Sequence, residues 1–200
     1  MFSNMKKILI FISIIILTNS SQLIFAQDKT DIHSLVFVQG NYLRNLGTFG
    51  NVWSHASGGY LGYGIFFPEH NLLMFRSGYM NHTLKSDNLS DGSLSVIPVH
   101  IGGRYYFLTK GFRPFFQFMN GFNIVFESVN LIREKKNRTL LRYIWQIGTG
   151  ATIDLSERLN IDLSLNYNAA FYENNKELYH EAGAMMTGFE YSIGFGWTIK

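Results

Sequence analysis

His55-Ala56-Ser57 sets a hydroxyl two residues from an imidazole. On a β-strand, positions i and i+2 share a face, and a serine becomes a nucleophile when a base stands within hydrogen-bond reach. No acid accompanies the triplet, so incidental residues beside a loop are expected, with nucleophilic chemistry as the competing reading. A second set is ionic: Arg76, His100, Arg104, Arg142, Asp162 and Glu190, with Asp154 as a further member. Residues so far apart in the chain act together only if the fold gathers them. A third set, Arg133, Lys135, Lys136 and Arg138, is expected to be a solvated loop, with attraction of anionic headgroups by about 1 kcal/mol per charge as the competing reading. His180-Glu181 lacks the spaced partners of a metal site, and with no cysteine there is neither a thiolate ligand nor a disulfide. The glycines recur inside extended segments and make no phosphate-cradling loop. Neither a cofactor nor a metal is expected.

The segments that must position the ionic set read as strands. Over 159–171 the odd positions are apolar and alternate with Asn160, Asp162, Ser164, Asn166 and Asn168. Over 188–199 Phe189, Tyr191, Ile193, Phe195, Trp197 and Ile199 alternate with residues that include Glu190 and Ser192. Leu141, Tyr143, Trp145, Ile147 and Ile153 alternate with Arg142, Gln146, Gly148, Gly150 and Asp154. Period two means one apolar and one polar face per strand. Weaker versions recur around Phe116–Phe126, Val99–Phe107, Leu73–Tyr79 and Leu61–Phe67, and a first segment around Leu35–Leu43 is ambiguous in phase. That makes eight candidate strands, with the ionic set on their polar faces.

The connections alternate in length. Those at 68–71, 109–111 and 156–158 are short; those at 44–54, 85–93, 128–138 and 173–184 are long. Membrane-spanning barrels with short periplasmic turns and longer extracellular loops predict this pattern for a chain that starts and ends in the periplasm.

Composition points the same way. Charged residues are only 16% of the chain while hydrophobic ones are 46% and aromatic ones 16%, too few charges for a soluble surface. Lys6 and Lys7, the apolar run 8–17 and Ala26 before Gln27 have the form of a secretory signal, giving a signal at 1–26 and a barrel domain at 27–200. Losing Lys6 and Lys7, with no acid, lowers the net charge from +3 to about +1. Nucleic acid is therefore not an expected partner.

The polar faces carry Gly, Asn, Ser and Thr, which suit a narrow eight-stranded interior. The aromatic faces therefore look outward, and closure leaves no unpaired edge in lipid, where each bare backbone group costs several kcal/mol. The ionic set is then expected to share the lumen as a salt-bridged plug, with a narrow pore as the alternative.

The run Ile97-Pro98-Val99-His100-Ile101-Gly102-Gly103-Arg104-Tyr105-Tyr106-Phe107, the following Lys110-Gly111-Phe112-Arg113-Pro114-Phe115, the signal ending Phe25-Ala26-Gln27 and the C-terminal Gly194-Phe195-Gly196-Trp197 resemble the OmpA/OmpX-like outer-membrane β-barrels, also called the porin family. The resemblance implies an all-β, eight-stranded antiparallel up-and-down transmembrane barrel in a gram-negative outer membrane. It implies a structural, adhesive or ligand-binding role through the long loops. Lipid and lipopolysaccharide would be its surroundings, the barrel-insertion machinery its partner during biogenesis, and a single copy its expected state. Members often end on an aromatic residue that assists insertion, whereas this chain ends Trp197-Thr198-Ile199-Lys200. Small barrels that deacylate lipid A use a His, a Ser and an acid, which makes His55 and Ser57 the basis of an enzymatic alternative.

Overall fold

The computed structural model describes residues 33–67, 70–85, 91–131, 134–171 and 185–199. The expected signal segment and the whole 173–184 connection fall outside the described residues.

Eight strands are formed: β1 (Ser34–Leu46), β2 (Trp53–Phe67), β3 (Asn71–Leu84), β4 (Asp91–Tyr106), β5 (Phe112–Leu131), β6 (Glu134–Asp154), β7 (Leu159–Ala170) and β8 (Met186–Ile199). A single helical turn, α1 (Gly47–Val52), joins β1 to β2. Each strand pairs antiparallel with its sequence neighbour, and β1 closes on β8 from Ser34↔Ile199 to Leu46↔Thr187. Both ends of the described barrel chain, Ser34 and Ile199, therefore lie at one end of the barrel, called here the terminal end; α1 lies at the other.

The faces are set by side-chain chemistry. Leu163 and Ile193 are 41% and 58% exposed, whereas Asp162 and Glu190 are 5% and 0% exposed. Rings such as Phe75, Tyr79, Tyr105, Phe122, Phe126 and Trp197 stand on the outside. A ring gains by leaving water only if something apolar covers it, and this outer face has the apolar band of a barrel in lipid. In the first strand Val36 and Val38 face out and Leu35 and Phe37 face in, which settles the ambiguous phase.

Two expected loops are not loops. Within 44–54, β1 continues to Leu46, α1 follows, and β2 begins at Trp53 with a register shift between Trp53 and Ala56, the mark of a β-bulge. Within 128–138, β5 and β6 stay paired as far as Leu131↔Glu134. Polar cross-strand contacts hold that ribbon: Glu127 accepts from the Arg138 guanidinium at 3.0 Å, and the Ser128 hydroxyl donates to Asn137 Oδ1 at 2.8 Å. Its residues are polar because they are cross-strand partners, not because they turn. The strict alternation of short and long connections does not survive this correction.

Candidate functional site

Inward-facing side chains form three layers along the barrel. Toward the α1 end, Leu43, Phe49, Trp53, Met80, Leu94 and Ile144 pack with their neighbours into an apolar layer. Toward the terminal end, Leu35, Phe37, Leu72, Met74, Tyr106, Phe115 and Met119 pack into another. Arg76, His100, Arg104, Asp162 and Glu190 lie between them.

The first ion pair joins β3 to β8. Arg76 Nη2 donates to Glu190 Oε1 at 3.1 Å, with the two side chains 2% and 0% exposed. Five further donors converge on the same carboxylate: Gln146 at 3.0 Å, the Tyr60 hydroxyl at 2.9 Å, Asn168 at 3.2 Å, Asn166 at 3.4 Å and the Ser192 hydroxyl at 3.5 Å. The guanidinium lies 3.8 Å over the Tyr60 ring and also donates to Gln146 Oε1 at 2.7 Å. A buried charge is tolerated when its remaining hydrogen-bonding positions are filled, and here the carboxylate is surrounded by donors.

The second pair joins β4 to β7. Arg104 holds Asp162 in a bidentate contact through Nη1 and Nη2. Its Nε and Nη2 also donate to Gln117 Oε1 at 3.1 and 2.9 Å, and the guanidinium lies 3.6 Å over the Phe115 ring. Asp162 takes further bonds from Thr152 at 2.9 Å and Gln39 at 3.0 Å. Gln39 connects the two pairs, because its Oε1 accepts from Arg76 Nη1 at 3.3 Å.

His100 is buried beside the first pair, with Nε2 3.2 Å from Asn123 Oδ1 and its ring 5.9 Å from that of Tyr60. Arg142 is buried on the same inner face, opposite Asn123 in the β5–β6 register. Asp154 meets Arg113 at 2.7 Å near the terminal end, apart from the two central pairs. A cavity of about 20 Å³, bordered by Tyr60, His82, His100 and Asn123, has room for one water and not for a solute.

The set singled out from the sequence omits Tyr60, Gln39, Gln117, Gln146, Asn166 and Asn168. These uncharged residues supply most of the donors and acceptors around the two pairs. Phase was the available signal, since Gln146 shares its face with Arg142, and Asn166 and Asn168 share theirs with Asp162.

The His55-Ala56-Ser57 triplet lies in β2 with Ser57 opposite Tyr42, an outward residue, in the β1–β2 register. His55 stacks on Tyr42, centroids 5.5 Å apart, and its Nε2 lies 3.3 Å from Thr83 Oγ1. Both residues thus belong to the outer face, away from the lumen. Of the basic set, Arg138 is in the Glu127 pair, while Arg133 and the side chains of Lys135 and Lys136 fall outside the described residues, as does His180-Glu181. Among the described residues no group of three His, Asp or Glu is placed to hold a metal.

No family model matches the chain, and no curated protein matches it. Solved structures do. Ail, the attachment invasion locus protein of Yersinia pestis, aligns at 12% identity over 86% of this chain and all of that one, with a TM-score of 0.54. The outer membrane protein OprG of Pseudomonas aeruginosa aligns at 14% identity over 86% of this chain and 97% of that one, TM-score 0.53. A major outer membrane protein of Thermus thermophilus aligns at 11% identity over 85% of this chain and all of that one, TM-score 0.55. At such identities the likeness is one of fold: a closed antiparallel transmembrane barrel of the outer-membrane type.

Proposed function

We propose that this chain is a closed outer-membrane barrel whose work is done at its outer end, as a structural, adhesive or ligand-binding element of the envelope, and not through its lumen. The observation that carries the reading is the order of the interior layers. A hydrogen-bonded ionic layer sits between two apolar ones, so a hydrophilic solute would have to cross Leu35, Phe37 and Phe115 at one end and Phe49, Trp53 and Leu94 at the other. Eight strands leave an interior just wide enough for side chains to fill, and here they fill it. The apolar outer band takes outer-membrane lipid as its solvent, lipopolysaccharide then borders the α1 end, and the insertion machinery assembles the barrel from the periplasmic side.

The pore reading fares worse because the ion pairs are not arranged along an open path. The lipid-modifying reading fares worse because β1, α1, β2 and β3 contain no aspartate or glutamate to complete a His–Ser–acid set around His55 and Ser57. For binding or adhesion, the α1 end offers the β5–β6 ribbon, which continues from Tyr143 to Glu134 beyond the last β6–β7 pair, Ile144↔Ala170. Purified protein refolded into planar bilayers tests the proposal. No stable single-channel current is expected, and a large, long-lived conductance would sink the closed-lumen reading.

A further inference from the structure

We infer that the outer face at the α1 end carries an anion site, centred on Arg44 and flanked by His55, Thr83 and Lys85, that holds the phosphate of a membrane glycolipid headgroup. Among the residues whose side chains are described, Arg44 is the one Asp, Glu, Lys or Arg on the outer face of the eight strands, and the other described ionic side chains of the strands point inward. Arg44 is exposed and opposes His55 across the β1–β2 register. The His55 ring is oriented by its stack on Tyr42 and its contact with Thr83 Oγ1 at 3.3 Å. Lys85, also exposed, follows β3 on the same rim, its backbone N–H bonded to Val52 O at 2.9 Å.

Two facts give the described part of the sector its sign. β1, α1, β2 and β3 contain no aspartate or glutamate, and no described carboxylate forms an ion pair with Arg44. A guanidinium at the rim of an apolar band, with no carboxylate paired to it among the described residues, is a juxtamembrane cation of the kind that draws anionic headgroups. The planar fork of arginine suits phosphate oxygens.

The neighbours argue for a lipid as the source of that phosphate. Arg44 stands next above Tyr42 in the outward column of β1 and opposite Phe189 of β8 in register, and both rings are exposed. A ligand that meets Arg44 with its anion meets these rings with hydrocarbon, which a free phosphate lacks. The outward hydroxyls of Ser57 and Thr83 offer sugar contacts beside the anion. This deepens the proposed role, and it rests on the reading that the α1 end borders the glycolipid leaflet.

The experiment uses the full-length barrel folded in non-ionic micelles, with folding checked by far-ultraviolet circular dichroism and heat-modifiable gel migration. Binding of bis-phosphorylated lipid A, of the same lipid stripped of its phosphates, and of inorganic phosphate is followed by native mass spectrometry. The phosphorylated lipid should bind, the stripped lipid and inorganic phosphate much less. Arg44→Ala should weaken the phosphorylated lipid by about fivefold, the loss of one interfacial cation, and adding Lys85→Ala should weaken it further. Arg158→Ala, at a turn of the terminal end, should change nothing. Equal binding by wild type and Arg44→Ala, or indifference to the lipid phosphates, overturns the site. Inorganic phosphate displacing the lipid at matched concentration overturns the lipid assignment. Because the titration is done in micelles, it can fail while the closed outer-membrane barrel stands; conductance and surface labelling test that reading separately.

Discussion

Glu190 receives the Arg76 guanidinium at 3.1 Å at a depth where neither side chain reaches solvent. The pair spans the barrel interior between β3 and β8, strands that are not adjacent, so it braces the wall across the lumen. Removing one member of a buried pair leaves the other uncompensated, a loss of about 3–5 kcal/mol. Glu190→Ala should therefore lower the urea midpoint of the refolded barrel sharply. Arg76→Met combined with Glu190→Met should recover part of the loss. Full recovery is not expected, because Gln146, Asn168 and Tyr60 would keep donors without their acceptor. A double-mutant cycle returning no coupling between the two positions would show that the pair is incidental.

Gln39 is expected to matter more than an uncharged residue usually does. It accepts from Arg76 and donates to Asp162, so replacing it with leucine deprives both ion pairs of a partner. Leaving buried polar groups short costs about 1–3 kcal/mol. The sharper expectation is thermodynamic. With Gln39 present, variants at Arg76 and Asp162 should be non-additive in unfolding titrations; in Gln39→Leu they should become additive. Additivity in both backgrounds would mean that the two pairs act alone.

Phe49 seals the α1 end from within. α1 turns through Gly47, whose φ of +61° is a left-handed conformation that glycine adopts without strain, and this carries Phe49 inward, edge-on to His82 at 5.6 Å. Phe49→Ala should cost about 3 kcal/mol in unfolding free energy by leaving a cavity. It should not open a conducting path, because the ionic layer and the terminal-end apolar layer remain below. A stable current appearing in Phe49→Ala bilayers would show instead that α1 is the seal and the layers beneath it leak.

How much of this is legible in the residues depends on contrast between the two faces of each strand. β7 and β8 are readable because their inner positions are polar or glycine nearly throughout. β1 is not, because its terminal end is apolar on both faces: Leu35 and Phe37 face the inner layer, Val36 and Val38 the outside. Losing that phase also hides Gln39. The β5–β6 ribbon reads as a loop because Glu127, Ser128, Asn137 and Arg138 are polar, and their pairing is visible only once the strands are laid side by side. Most charged members of the lumen stand out by type, although the buried Arg113 and Glu127 lie outside the set singled out from the sequence. The glutamines and asparagines that complete the network carry no charge to mark them, and only their phase identifies the face they share. The apolar layers at each end escape notice for a related reason: an inward Leu72 or Leu94 looks like any core residue until the ionic layer beside it is seen.

The absence of native cysteine makes the orientation of the wall directly measurable. An even number of strands returns the chain to the end from which it started, so Lys110, in the connection between β4 and β5, shares that end with Ser34 and Ile199, while Asn51 of α1 lies at the other. If the termini face the periplasm, a membrane-impermeant maleimide added to intact cells should label Asn51→Cys at once and Lys110→Cys only after the outer membrane is permeabilised. Leu163→Cys and Ile193→Cys point away from the lumen on β7 and β8 and should resist the reagent in both conditions, because hydrocarbon surrounds them. The two classes of result answer different questions. Reversed labelling of Asn51 and Lys110 would invert the barrel without disturbing its fold. Ready labelling at Leu163 and Ile193 in intact membranes would mean that water, not lipid, bathes the aromatic face, and the membrane assignment would then have to be withdrawn.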